Sequence, residues 1–149
     1  MLAIIGGDPL RFRPYVDLYH QALAQLELAT LPIGQHSPGF IAATDEEAKN
    51  LMFPHYQMMH ERIGRSRGWP PLTRDQFEHE AGPEGALFAG SPEIVAQKMA
   101  RSIHGLGVTR FDLKYSLGTL PHEHLMESIR LYGEVVVPRV RELLAEMAK

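Results

Sequence analysis

Leu2 to Ile5 is an unbroken apolar run stopped by Gly6-Gly7-Asp8-Pro9, the pattern of a strand buried on both faces and followed by a turn. From about Leu10 or Pro14 to Leu28 the period changes. Tyr15, Leu18, Tyr19, Ala22 and Leu26 recur at i, i+3, i+4, i+7 and i+11, which predicts a helix with that stripe as its apolar face. Leu31 to Ala42 reads as extended, but Pro32, Gly34, Pro38 and Gly39 interrupt it. Proline in such a run predicts a broken or bulged element, not a regular central strand. Thr44-Asp45-Glu46-Glu47 opens the next helix, with Thr44 as cap, Glu47 at the capping-box position and acids suited to the dipole. That helix is expected to reach about Gly64, with a kink near Pro54.

The rest of the chain alternates the same way. Trp69 to Thr73 forms a rigid turn, and Thr73 with Gln76 makes a second capping box before a short helix. Ala86 to Ala89 is a short extended piece, a doubtful fourth strand beside three good ones. Ser91, Pro92 and Glu93 start a helix whose stripe is Val95, Met99 and Ile103, ending at Gly105. Arg110 to Ser116 is a strand, and a closing helix from about Pro121 to Ala148 must break or kink at Pro138. Strands alternating with helices predict an α/β fold with parallel strands, and helices packed on one face. The chain opens directly on a strand and supplies too few strands for a closed sheet, so it reads as the last units of a barrel whose beginning lies elsewhere.

Composition narrows the field. The 149 residues make one domain, well short of the roughly 250 of a full (β/α)8 barrel. A formal charge of −3 offers no basic footprint for nucleic acid. No apolar run approaches the roughly 20 residues of a membrane span. Zero cysteines remove disulfides, thiolate metal sites and a Cys nucleophile, and fit a reducing cytoplasm, the expected location.

Several motifs resolve to ordinary structure. Gly105 and Gly107 follow a helix and precede a strand, the reverse of a dinucleotide loop, and the third glycine position holds Arg110. Gly34 to Gly39 has the wrong spacing and context for a nucleophile elbow. His55 and His60 stand about 140° apart around a helix, so they do not share one metal. His122 and His124 diverge in the same way, and surface or capping histidines are expected, with no metal. Met52, Met58 and Met59 suit an adaptable core.

The last strand carries more. Phe111, Leu113 and Tyr115 alternate with Asp112, Lys114 and Ser116. The apolar set faces the helices, leaving Lys114 and Ser116 on the opposite face near the strand's C-terminal end, the catalytic mouth of a closed barrel. The alternative is a lysine buried in an ion pair with Asp112.

Three stretches then carry a resemblance: Ala3 to Pro9 with its helix, Ser37 to Ala48, and Leu87 to Val95 continuing into Phe111 to Gly118. In order and spacing the chain resembles the C-terminal part of luciferase-like, flavin-dependent monooxygenases, (β/α)8 barrels that use reduced FMN or coenzyme F420. The resemblance implies a partial TIM barrel in which Leu2–Ile5, Leu31–Ala42 and Arg110–Ser116 match strands six to eight. Residues 44–90 match a long insertion within the single domain. It implies that Gly6, Gly7, Asp8, His36, Ser37, Lys114 and Ser116 line one wall of a flavin or substrate pocket. Most flavin contacts in the family come from the first five strands, so the catalytic residues stay unassigned and FMN binding by this chain alone is expected to be weak or absent. The expected partner is a second copy or the missing N-terminal half-barrel. A non-catalytic α/β module that associates with itself or a partner is the other reading.

Overall fold

The computed structural model describes residues 1–149 and shows four strands joined in parallel, β1 (Leu2–Ala3), β2 (Gly34–Ile41), β3 (Phe88–Gly90) and β4 (Arg110–Lys114). Between them run the helices α1 (Arg13–Gln25), α2 (Asp45–Gly64), α3 (Arg74–Ala81) and α4 (Pro92–Leu106), and α5 (His122–Leu131) and α6 (Val137–Met147) close the chain. All pairings pass through β2. Leu2 and Ala3 face Gln35 and His36, Gly34 to Pro38 face Arg110 to Lys114, and Gly39 to Ile41 face Phe88 to Gly90.

The centrality of β2 overturns the expectation of a broken element, and the position of Pro38 explains why. In an extended strand a residue's N–H and C=O address the same edge, and successive residues address opposite edges. His36 O accepts from Ile4 N, and Ala42 N donates to Gly90 O, so even-numbered residues of β2 face β1 and β3. Ile33 O accepts from Thr109 N, so odd-numbered residues face β4. The N–H that Pro38 lacks therefore falls at the changeover between β1, whose last partner is His36, and β3, whose first is Gly39. No ladder bond is lost. Gly39 is needed there for space, since a Cβ would lie 2.5 Å from Leu113 Cδ1 and 2.5 Å from Phe88 O.

One face of this arc is covered. Ile41, Phe88, Val95, Met99, Leu131, Val136 and Val140 form a buried cluster against α4 to α6, with Phe111 and Leu113 packed on it as their alternation predicts. A buried polar chain sits on the same side. Ser102 Oγ donates to Gln35 Oε1 at 2.6 Å, Gln35 Nε2 to Ser37 Oγ at 3.0 Å, and Ser37 Oγ to Ile4 O at 2.8 Å. Beyond the end of β4, Ser128 Oγ takes the free Ile41 N–H at 3.0 Å, so no buried donor is orphaned there.

Three further expectations are corrected. α4 ends at Gly107 in the left-handed conformation, φ 67°, not at Gly105. Leu2 to Ile5, expected to be buried on both faces, is buried only in part: Ile4 is fully buried with Leu106 and Val108, while Ile5 is 61% exposed. The α1 stripe faces outward: Tyr15 is 64%, Leu18 61% and Leu26 67% exposed, and Val16 alone is buried. The helix has an apolar face, but no element of the chain lies against it. The break at Pro138 takes the form of a π segment, Tyr132–Val136, which rearranges the turn that a proline cannot complete.

Candidate functional site

Parallel pairing puts the C-terminal strand ends on one side, and the residues there line a cavity of about 740 Å³. Its floor is the uncovered face of the sheet. His36 and Pro38 come from even positions of β2, Lys114 stands beside Pro38 in the register, and Ile5 and Gly6 follow β1. The facing wall is α2 and α3, folded back across the strand ends.

Local sequence dictates that fold-back. Thr44 Oγ1 accepts from Glu47 N at 3.1 Å and three acids occupy the first turn of α2. At the far end Trp69 packs so closely on Gly64 that a Cβ would meet Trp69 Cβ at 2.9 Å, which turns the chain back. The Thr73–Gln76 capping box is complete, Gln76 N donating to Thr73 Oγ1 and Thr73 N to Gln76 Oε1, and starts α3. Phe40, Met52, Phe77, Leu87 and Leu120 then bury together between α2, α3 and the strand ends.

Two ties fasten this wall to the barrel strands. The Glu80 carboxylate accepts from Gly7 N at 3.0 and 3.2 Å and from Ala86 N at 3.3 Å. Lys98 of α4, buried, donates to Leu87 O at 2.7 Å, Ala81 O at 3.3 Å and Glu80 O at 3.4 Å. Burial pulls its pKa down to about 7, with the Glu80 charge opposing. Burial, reinforced by Glu80, pushes the Tyr56 hydroxyl above its ordinary range, so it stays protonated at the cavity wall.

The structure sorts the residues singled out in the sequence. Gly6, His36 and Lys114 line the cavity. The Gly7 amide is taken by Glu80. Asp8 accepts from Leu10 N at 3.0 Å and pairs with Arg101 at 3.4 Å, capping the turn Pro9–Phe12. Ser37 is spent in the buried polar chain, and Ser116 lies exposed in the loop after β4. Lys114 does not pair with Asp112, because Arg110 holds that carboxylate at 2.8 Å.

The sequence reading missed Tyr56, His60, Trp69 and Glu80. His60 is the most telling. Its ring lies 5.2 Å from that of Trp69, and Nδ1 is buried with no hydrogen-bond partner. Arg67 stacks on the other aromatic of the pair, 5.2 Å from the Trp69 ring. His55 is satisfied instead by Thr119 Oγ1 at 2.8 Å. No group of three or more His, Asp or Glu side chains is placed to hold a metal ion, and no helix is long and apolar enough to cross a membrane.

No protein-family profile matches the sequence, and no curated protein does. Solved structures do. Monooxygenase RslO1 from Streptomyces bottropensis superposes with a TM-score of 0.69 at 17% identity, over 91% of this chain and 40% of that one. The oxygenating constituent of 3,6-diketocamphane monooxygenase from Pseudomonas putida, solved with FMN, gives 0.65 at 16% identity, over 93% and 42%. The coenzyme F420 dependent tetrahydromethanopterin reductase from Methanopyrus kandleri gives 0.58 at 14%, over 93% and 45%. The fold is therefore that of part of a TIM barrel like those of these enzymes, as the sequence resemblance implied. This chain spans less than half the length of each of these three proteins.

Proposed function

We propose that this chain is the C-terminal part of a luciferase-like, flavin-dependent monooxygenase, working in a reducing cytoplasm with barrel strands supplied by a partner. The supporting observation is the superposition of almost the whole chain on two fifths of RslO1, with similar coverage of an FMN enzyme and an F420 enzyme. FMN, or alternatively F420, is the cofactor this implies. The residues present fit one wall of such a site and not the whole. Gly6 has open space around it, but the Gly7 amide and the Ser37 hydroxyl, the donors an anionic phosphate would use, are already committed within the protein. No step of flavin chemistry is assigned to this chain alone.

A second reading, a non-catalytic α/β module that associates with itself or a partner, draws support from the outward apolar stripe of α1. FMN titration separates the two. Alone, the chain is expected to give no tight stoichiometric complex, because a single wall does not bury a ligand. Mixed with a polypeptide carrying the first five strands of such a barrel, it is expected to bind FMN. A tight complex with the isolated chain overturns the incompleteness, and failure of the mixture to bind favours the non-catalytic module.

A further inference from the structure

The cavity under α2 and α3 is walled mainly by this chain's own residues, and its chemistry is uneven. Ile5, Met59, Ile63, Leu72 and Phe77 make it apolar, and Trp69 adds an aromatic face. Its two acids are accommodated by the protein: Glu80 accepts from two backbone N–H groups, those of Gly7 and Ala86, and Asp75 sits in the first turn of α3, where the helix dipole favours a negative charge. Its cations are not offset in this way. Lys114 stands on the floor without an acidic partner, since the neighbouring Asp112 is held by Arg110, and Arg67 is engaged only with the Trp69 ring. His60 lines the same wall, its ring 5.2 Å from that of Trp69.

We infer that this cavity binds an apolar aromatic molecule bearing a single anionic group, with the anion at Lys114 and the aromatic body against Trp69. A volume of about 740 Å³ falls within the range of drug-sized ligand pockets. The pairing of apolar walls with cations that no carboxylate neutralises selects amphiphilic anions over neutral hydrocarbons and over small inorganic ions, which leave the walls in contact with water. The site shares its place with the flavin reading, resting on the same uncovered strand face, but requires no flavin.

The chain contains one tryptophan, so Trp69 reports directly on occupancy. The probe is 1-anilinonaphthalene-8-sulfonate, with neutral N-phenyl-1-naphthylamine as its uncharged counterpart. The sulfonate is expected to saturate at one per chain with energy transfer from Trp69. Lys114→Met, at an exposed side chain that folding does not need, is expected to weaken the sulfonate roughly tenfold, the worth of one charge-assisted hydrogen bond, and to leave the neutral probe unchanged. Leu18→Lys, on the outward face of α1, is expected to change neither. Unsaturable binding, equal loss of both probes in Lys114→Met, or loss in Leu18→Lys overturns the inference. Sulfonate binding that persists where the half-barrel mixture binds no FMN sinks the flavin reading alone.

Discussion

Helices α1 and α4 are built alike and end up opposite. Each follows a strand, begins near a proline and carries apolar residues at helical spacing. On α4 the stripe is gone from solvent: Val95, Ala96, Met99 and Ala100 lie beneath β2, β3 and α6. On α1 the stripe is the solvent face. What differs is the neighbourhood. α4 has α6 beside it, whereas α1 packs lightly on α4 and the Pro9–Phe12 turn and has nothing on its β1 side. An amphipathic pattern therefore specifies that a face should be covered, not that this chain covers it. The unsatisfied side of the arc is the side of β1 and α1.

The first way to sharpen this contrast is to remove one large side chain from each region. Phe88 is fully buried, edge-on to Phe111 at 4.8 Å, so Phe88→Ala is expected to cost about 3–5 kcal/mol in urea unfolding. Tyr15→Ala, at a face open to water within one chain, is expected to fall within about 0.5 kcal/mol when unfolding is followed at a concentration low enough for the chain to be monomeric. Equal losses at the two positions break the comparison.

A smaller effect distinguishes the covered region by pH. Burial lowers Lys98 to about 7 from an ordinary 10.5, so between those values the unfolded chain holds a proton that the folded chain does not. Stability is then expected to rise with pH through that window and to fall as pH drops towards 7. Lys98→Met is expected to flatten the slope. A wild-type slope that the variant leaves unchanged assigns the proton to another group.

Much of this architecture was legible in the sequence because local rules fixed it. The Thr44 and Thr73 caps and the break at Pro138 are all short-range chemistry. So was half of the site: alternation along Arg110 to Ser116 separates Lys114 from Phe111 and Leu113, and the structure puts them on opposite faces. What stayed hidden depends on where distant segments lie. Pro38 looks like a strand breaker until its missing N–H is seen to fall between two neighbouring strands. His60, Trp69 and Glu80 belong to a helical segment whose sequence says nothing of its folding back over the strand ends. Ser37 and Gly7, plausible ligand donors by position, are consumed by Ile4 O and Glu80.

The α1 stripe and Ile5 present apolar surface beside an unpaired strand edge, a combination that favours association. Covering some 400 Å² of such surface at about 25 cal/mol per Å² is worth about 10 kcal/mol, comparable to the whole stability of a small domain. Sedimentation velocity at micromolar concentration tests this most directly. The chain is expected to run as a self-associated species, and Leu18→Lys is expected to shift it towards monomer mass without loss of cooperative unfolding. A wild-type chain that sediments at about monomer mass and unfolds cooperatively contradicts the account, because its open side would then need no partner.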